Sequence, residues 1–159
     1  MKTHQLKCEM WLDRPLDEVF PFFADAHNLD RITPPWLHFR ILTPAPIPMH
    51  VGSIIEYKLR LHGFPIRWKT EIAQWEPPYF FVDQQIKGPY RLWRHEHTFE
   101  EKDGGTLIRD DVTYAVPGWF LEPLIHTWMV KADVQKIFDY RQEQIRNIFP
   151  AGEDVIRTS

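Results

Sequence analysis

Residues 88–117 read GPYRLWRHEHTFEEKDGGTLIRDDVTYAVP, and their pattern is the strongest indication of the fold. Apolar and polar residues alternate on both sides of Asp103-Gly104, a dipeptide that is typical of a tight hairpin turn. The alternation predicts two antiparallel strands, one from Tyr90 to Glu101 and one from Thr106 to Val116. The same period of two recurs through most of the chain that precedes this hairpin.

The register of this hairpin places polar side chains on its apolar face. With Asp103-Gly104 as a two-residue turn, Lys102 pairs with Gly105. The apolar face then carries four opposing pairs, which are Phe99 with Ile108, His97 with Asp110, His95 with Val112, and Trp93 with Tyr114. A buried polar group without a partner costs about 1–3 kcal/mol. We therefore expect His97 to pair with Asp110, the carboxylate raising the pKa of the imidazole.

The rest of the chain predicts further strands and a few helices. Alternation indicates strands over residues 5–12, 37–42, 53–61, 66–75 and 79–87. Asp13 is a candidate cap for a short helix that contains Pro15, and a second short helix is expected from about Ala26 to Ile32. Helical periodicity returns after Pro117-Gly118 and continues to Phe149.

These elements predict an α+β fold with an internal cavity. Strands joined by such short turns are antiparallel neighbours, so they form one sheet. The C-terminal helix is the only element long enough to cover that sheet. A curved sheet around a single helix leaves space where the inward side chains cannot fill it. We expect one domain over residues 1–150 and a C-terminal tail over residues 151–159.

The walls of the expected cavity follow from the registers. In the hairpin around Gly63, Leu61 is expected to pair with Ile66 and Tyr57 with Thr70. The predicted ligand-binding residues are Tyr57, Trp68, Trp93, His95, His97, Phe99, Asp110, Tyr114, Val134, Phe138 and Arg141. Arg141 lies on the apolar stripe of the helix and allows two interpretations. In the first, its guanidinium reaches into the cavity and binds a carboxylate. In the second, the side chain extends past the sheet edge to solvent.

Metal and thiol chemistry are weakly indicated. His95 and His97 have the H-x-H spacing that places two imidazoles on one face of a strand, as in metal sites. Asp110 or His126 could serve as a third ligand, but the sequence fixes neither, so we predict no metal and no other cofactor. The single cysteine, Cys8, excludes an internal disulfide. It alternates with apolar residues and is expected to be a small core residue.

Composition restricts the partners. The 19 basic and 22 acidic residues give a formal net charge of −3, which provides no general attraction to nucleic acid. No apolar run approaches the roughly 20 residues needed to span a bilayer, and the N-terminus lacks the apolar segment of a signal peptide. We expect a cytoplasmic protein without membrane insertion. The sequence leaves the oligomeric state open.

Four segments carry a family resemblance. They are RPLDEVFPFFADAHNLDRITPPW (residues 14–36), GPYRLWRHEHTFE (88–100), GGTLIRDDVTYAVP (104–117) and IFDYRQ (137–142). Over about residues 3–149 the chain resembles the START-like superfamily of helix-grip proteins, also called SRPBCC, and its bacterial polyketide cyclase/dehydrase-like members. The resemblance implies a seven-stranded curved antiparallel sheet around a long C-terminal helix, two short helices between strands 1 and 2, and a hydrophobic ligand between sheet and helix.

Three functions remain open at this point. The first is binding of a small hydrophobic or aromatic molecule that is lipid-, quinone- or polyketide-like. The second is a cyclase or dehydratase in which His97 and Asp110 act as an acid–base pair. The third is an interaction module that regulates an epimerase-like partner, because the WRHEHTF and FDYR runs resemble a bacterial subgroup found attached to such domains. We favour binding without catalysis.

Overall fold

The structure is a computed structural model that describes residues 1–117 and 129–151. Its strands are β1 (His4–Leu12), β2 (Arg40–Ile41), β3 (Ile54–Leu61), β4 (Phe64–Glu76), β5 (Phe80–Lys87), β6 (Leu92–Lys102) and β7 (Gly105–Ala115). Its α-helices are α1 (Leu16–Ala24) and α2 (Lys131–Ile148), and two 3₁₀ helices span Ala26–Ile32 and Pro35–Leu37.

The seven strands form one antiparallel sheet in the order β1-β7-β6-β5-β4-β3-β2. Consecutive strands from β2 to β7 are neighbours, and β1 completes the sheet by pairing with β7. The predicted fold class is thus confirmed, with the short helices between β1 and β2 and the long helix at the C-terminal end. This order leaves β6 in the middle of the β5-β6-β7 ladder, with hydrogen-bonded neighbours on both sides.

The two hairpins test the predicted registers. In the β6–β7 hairpin Lys102 pairs with Gly105 and His97 with Asp110, as predicted. In the β3–β4 hairpin the prediction is wrong by two residues, because Leu61 pairs with Phe64 rather than with Ile66. The turn there is His62-Gly63, in which both residues have positive φ (48° and 82°), as a type I′ turn requires. A shift of two residues keeps every side chain on its predicted face.

The helical segments also differ from the prediction in detail. Asp13 does not cap α1, since Pro15 occupies the N-cap position and no side chain accepts a hydrogen bond there. The strand expected over residues 37–42 is reduced to Arg40–Ile41. The chain ahead of it turns through the 3₁₀ helix Pro35–Leu37 and ends that turn with His38 in the left-handed conformation (φ 48°). The beginning of the predicted C-terminal helix, including Thr127, lies outside the described residues.

Helix α2 packs against the inner face of the sheet through one buried stripe. Its buried residues are Val134, Phe138, Arg141 and Ile145. The first two pack with Val112 and Tyr114 of β7, while Ile145 joins a larger core with α1. Over the part of the chain that the structure describes, no helix has the length and apolar character needed to cross a membrane.

Candidate functional site

A cavity of about 180 Å³ lies between the inner face of the sheet and α2. Strands β3 and β4 supply an apolar wall that includes Ile55, Leu59 and Ile72, and Phe138 contributes from α2. The 3₁₀ helix Ala26–Ile32 and the neighbouring end of α1 also line the cavity. A site with these walls fits a small, mostly apolar molecule.

Aromatic rings line one end of this cavity. Tyr57 stacks on Trp68 with a centroid separation of 5.8 Å, and Trp93 meets Trp68 edge-on at 5.4 Å. The indole nitrogen of Trp68 donates a hydrogen bond to Thr70 Oγ1 at 3.1 Å. Burial raises the pKa of the phenols of Tyr57 and Tyr90. Both phenols therefore stay neutral, and this end of the cavity offers flat, uncharged surfaces.

A cluster of charged side chains, all buried except the partly exposed Asp83, lies against the same cavity. It consists of Asp83 on β5, His95 and His97 on β6, Asp110 on β7 and Arg141 on α2. Asp83 faces His95 across the β5–β6 ladder, and His97 faces Asp110 across the β6–β7 ladder. The imidazoles and Asp110 are each no more than 5% exposed, and Arg141 is 8% exposed. All of these side chains except Asp110 line the cavity.

The hydrogen bonds in the cluster run diagonally rather than straight across the ladders. His95 Nε2 donates to Asp110 Oδ1 at 2.7 Å, and His97 Nε2 donates to Asp83 Oδ2 at 2.5 Å. His97 Nδ1 is 3.5 Å from Asp110 Oδ1, and Arg141 Nη2 is 3.7 Å from the same oxygen. The expected His97–Asp110 pair is therefore corrected, because Asp83 is the direct hydrogen-bond partner of His97. Diagonal neighbours on one sheet face are within reach of long side chains.

The surroundings set the protonation of these groups. Burial alone would raise the pKa of Asp110, but the charge of Arg141 and the imidazole hydrogen bonds hold it well below its usual value. Burial and the charge of His97 lower the pKa of His95. For His97, burial would lower the pKa, yet the carboxylates of Asp110 and Asp83 raise it. These directions favour two carboxylates balanced by one imidazolium and one guanidinium.

The rings of the two histidines are held in place by stacking. Their centroids are 3.6 Å apart, and Phe81 stacks on the outer face of His97 at 4.1 Å. Phe138 of α2 meets His95 edge-on at 5.5 Å. Because these ring contacts add to the pairing of β6 with β5 and β7, both imidazoles have little freedom to rotate. The cluster is thus a preorganised polar surface at the edge of an apolar space.

Asp83 is the site residue that sequence reasoning missed. The segment FFVDQQIK places its one acidic residue two positions after the inward-facing Phe81. That placement was a usable signal, because alternation puts Asp83 on the same face. The connection that contains Gly88-Pro89 does not match a two-residue turn. The β5–β6 register could therefore not be predicted from the sequence of the turn.

Some predicted site residues lie behind the cavity wall rather than on it. Phe99 is packed in the α1 core, Tyr114 and Val134 lie in the β7–α2 core, and Asp110 sits behind the imidazoles. The predicted ligand-binding residues that do line the cavity are Tyr57, Trp68, Trp93, His95, His97, Phe138 and Arg141.

Three other predicted features have different outcomes. Cys8 is half-buried beside the β7–α2 core, and burial raises the pKa of its thiol, as suits a core residue better than a nucleophile. Arg141 is buried and faces Asp110, so the interpretation that it passes to solvent is wrong. His126 lies outside the described residues.

A curved antiparallel sheet closed over one long C-terminal helix, with a cavity between them, defines a helix-grip, START-like protein of the SRPBCC superfamily. The chain belongs to the family described as polyketide cyclase/dehydrase and lipid transport, whose model matches residues 12–139. No curated protein matches the chain. The predicted superfamily is thus confirmed, and this family and fold are those of proteins that bind hydrophobic molecules.

Solved structures with the same fold come from bacteria and a plant. Protein CV1439 from Chromobacterium violaceum is 10% identical, with a TM-score of 0.72 over 93% of this chain and 98% of that chain. Major latex-like protein 151 from Panax ginseng is 14% identical, with a TM-score of 0.68 over 93% and 98%. Protein Ms6760 from Mycobacterium smegmatis is 16% identical, with a TM-score of 0.64 over 93% and 96%. At such identities the likeness concerns the fold.

Proposed function

We propose that this protein binds a small aromatic or otherwise flat hydrophobic molecule that carries one polar group. The observation that carries the proposal is the position of the charged cluster at the edge of an apolar, aromatic-walled cavity. The aromatic end would take the apolar body of the ligand. The imidazoles and Arg141 would take its hydroxyl, carbonyl or carboxylate group.

The energetics favour a ligand with both features. Burying about 200 Å² of apolar ligand surface contributes about 5 kcal/mol before the cost of association. That cost consumes much of the apolar contribution, so the polar contacts decide the affinity. A hydrogen bond to a charged group contributes about 1.5–3 kcal/mol, and Arg141 offers an Nε with no hydrogen-bond partner.

The test is a calorimetric titration with 2-naphthol, a flat aromatic probe with one hydroxyl, in the presence of EDTA. The wild-type protein is expected to bind one equivalent. Ile55→Phe places a larger side chain on the cavity wall and should weaken binding at least about tenfold, which is ~1.4 kcal/mol. Ile55 is 3% exposed and lines the cavity, so the added ring atoms compete with the ligand for space.

The adjacent residue supplies a matched control. Ile54 is 37% exposed and points away from the cavity, since successive strand residues face opposite sides. Ile54→Phe should leave the affinity for 2-naphthol within about twofold, or less than ~0.5 kcal/mol. Equal losses in both variants, or a wild-type protein that shows no saturable binding, would contradict the proposal.

The two alternative functions stay predictions. For the acid–base alternative, the structure changes the candidate pair to His97 and Asp83, both of which line the cavity. A fully packed interior would favour the interaction module over a binding protein, and the cavity between sheet and helix is not such an interior.

A further inference from the structure

Three potential metal ligands converge at the edge of the cavity. Asp83 Oδ2 is 2.5 Å from His97 Nε2 and 3.7 Å from His95 Nδ1, and the three donor atoms all lie within 4.8 Å of one another. In the part of the chain that the structure describes, this is the one group of three such residues. The sequence left the third ligand of the H-x-H pair open between Asp110 and His126, whereas the structure brings Asp83 to both imidazoles.

We propose that Asp83, His95 and His97 form a binding site for one divalent transition-metal ion, such as Zn²⁺ or Co²⁺. Two imidazoles and one carboxylate are a donor set that such ions prefer. The site is additional to the proposed binding of a hydrophobic ligand and does not depend on it.

The two donor distances from Asp83 are close to those expected around a bound ion. Metal–ligand bonds to imidazole nitrogen and carboxylate oxygen are about 2.0–2.2 Å, so that neighbouring donors around one ion are roughly 3–3.5 Å apart. The distances of 2.5 Å and 3.7 Å from Asp83 bracket this range. The Asp83–His97 hydrogen bond must open to admit the ion. Asp83 is 21% exposed, more than either histidine, and its side chain is therefore the one free to move.

The opposite nitrogens of both imidazoles face a second carboxylate. His95 Nε2 is hydrogen-bonded to Asp110 Oδ1 at 2.7 Å, and His97 Nδ1 is 3.5 Å from the same oxygen. His97 Nδ1 is buried without a hydrogen-bond partner, which leaves it available to donate to Asp110 when Nε2 binds an ion. Metal-bound histidines commonly donate their other N–H to a carboxylate, which fixes the ring and increases its basicity.

The charges around the site also fit a divalent cation. Asp110, the carboxylate behind the imidazole rings, is 3.7 Å from Arg141, so the guanidinium already balances its negative charge. Asp83 remains as the anionic ligand on the cavity side. Three protein ligands leave at least one coordination position open, and all three line the cavity. That position faces the space in which a water or a ligand oxygen would lie.

The experiment titrates EDTA-treated full-length protein with Co²⁺ and follows visible d–d absorption, with Zn²⁺ as competitor. We expect one equivalent of Co²⁺ in the wild-type protein, displaced by Zn²⁺. Asp83→Asn, His95→Gln and His97→Gln should each weaken Co²⁺ binding at least about 100-fold. Asp110→Asn should weaken it by about 10–100-fold, because Asp110 orients the ligands without touching the ion.

A surface histidine serves as the matched control. His62 is hydrogen-bonded to Asp133 at 2.6 Å on the protein surface, so it is a comparable His–Asp pair that lies outside the cavity. His62→Gln should leave Co²⁺ affinity and absorption unchanged. Equal effects of His62→Gln and His97→Gln, or unchanged binding in His95→Gln, would overturn the proposal.

A measurement on the wild-type protein decides the matter even if a variant fails to fold. Zn²⁺ at 100-fold above its dissociation constant should raise the midpoint of thermal unfolding, since the ion binds the folded state. A wild-type protein with neither a Co²⁺ spectrum nor this shift overturns the proposal. The 2-naphthol titration is done in EDTA, so its outcome is independent of this one.

Discussion

Replacing Arg141 by methionine is expected to lower the free energy of unfolding by about 3–5 kcal/mol, because the change leaves the buried carboxylate of Asp110 without its guanidinium. Arg141 is 8% exposed and Asp110 is 4% exposed, so water cannot replace the lost charge. Methionine keeps most of the length of the side chain, which limits the contribution of lost packing. The measurement is urea-induced unfolding of the EDTA-treated protein, followed by circular dichroism.

Two further variants separate the charge effect from general damage. Arg109→Met removes an arginine next in sequence to Asp110, but Arg109 is exposed and pairs at the surface with Glu9 and Glu100. Its effect should be much smaller than that of Arg141→Met. The double variant Arg141→Met with Asp110→Asn removes both buried charges and should lose less stability than the two single variants added together. Strictly additive losses would show that the two charges do not interact.

Replacing Phe99 by alanine is expected to cost about 3–5 kcal/mol of stability, because it removes a ring from the centre of the core. Phe99 is 1% exposed and contacts Phe20 and Phe23 at centroid distances of 5.2 and 5.3 Å, with Phe81 at 6.0 Å. No rearrangement of a single neighbour fills such a space. Thermal or urea-induced unfolding measures the loss.

The same residue distinguishes a core role from a ligand contact. The sequence predicted Phe99 as a ligand-binding residue, whereas the structure places it behind the wall. Phe99→Leu should therefore leave the affinity for 2-naphthol within about twofold, or less than ~0.5 kcal/mol. Trp68→Leu, on the wall, should weaken binding at least about tenfold, or ~1.4 kcal/mol. Similar losses of 2-naphthol affinity in the two variants would show that Phe99 contacts the ligand.

The fold could be predicted because alternation and turn chemistry are local signals. Asp103-Gly104 gave the correct β6–β7 register, and hence the pairing of His97 with Asp110 on the inner face. The β3–β4 register was missed because Pro65 was expected in the turn, whereas His62-Gly63 makes the turn by itself. Strand neighbours and faces follow from local sequence, while the exact register depends on which residues accept positive φ.

The candidate site was predictable only in part. Sequence reasoning placed both imidazoles on the inward face of the sheet and left the direction of Arg141 open, and all three side chains line the cavity. It could not find the partner of His97, because that partner is on β5 and the hydrogen bond is diagonal. Side-chain rotamers and the packing of α2 decide such diagonal contacts. These depend on the whole folded chain and not on the spacing within one hairpin.

The arrangement of the sheet assigns shape and chemistry to different strands. The charged groups that the sheet contributes are on β5, β6 and β7, whereas β3 and β4 supply much of the apolar wall near the β2 edge of the sheet. Substitutions in the β3–β4 hairpin can therefore change the shape of the cavity without displacing the charged groups. This separation suits the fold to evolutionary diversification. Substitutions can change which apolar molecule fits, while the side chains that bind its polar group stay the same.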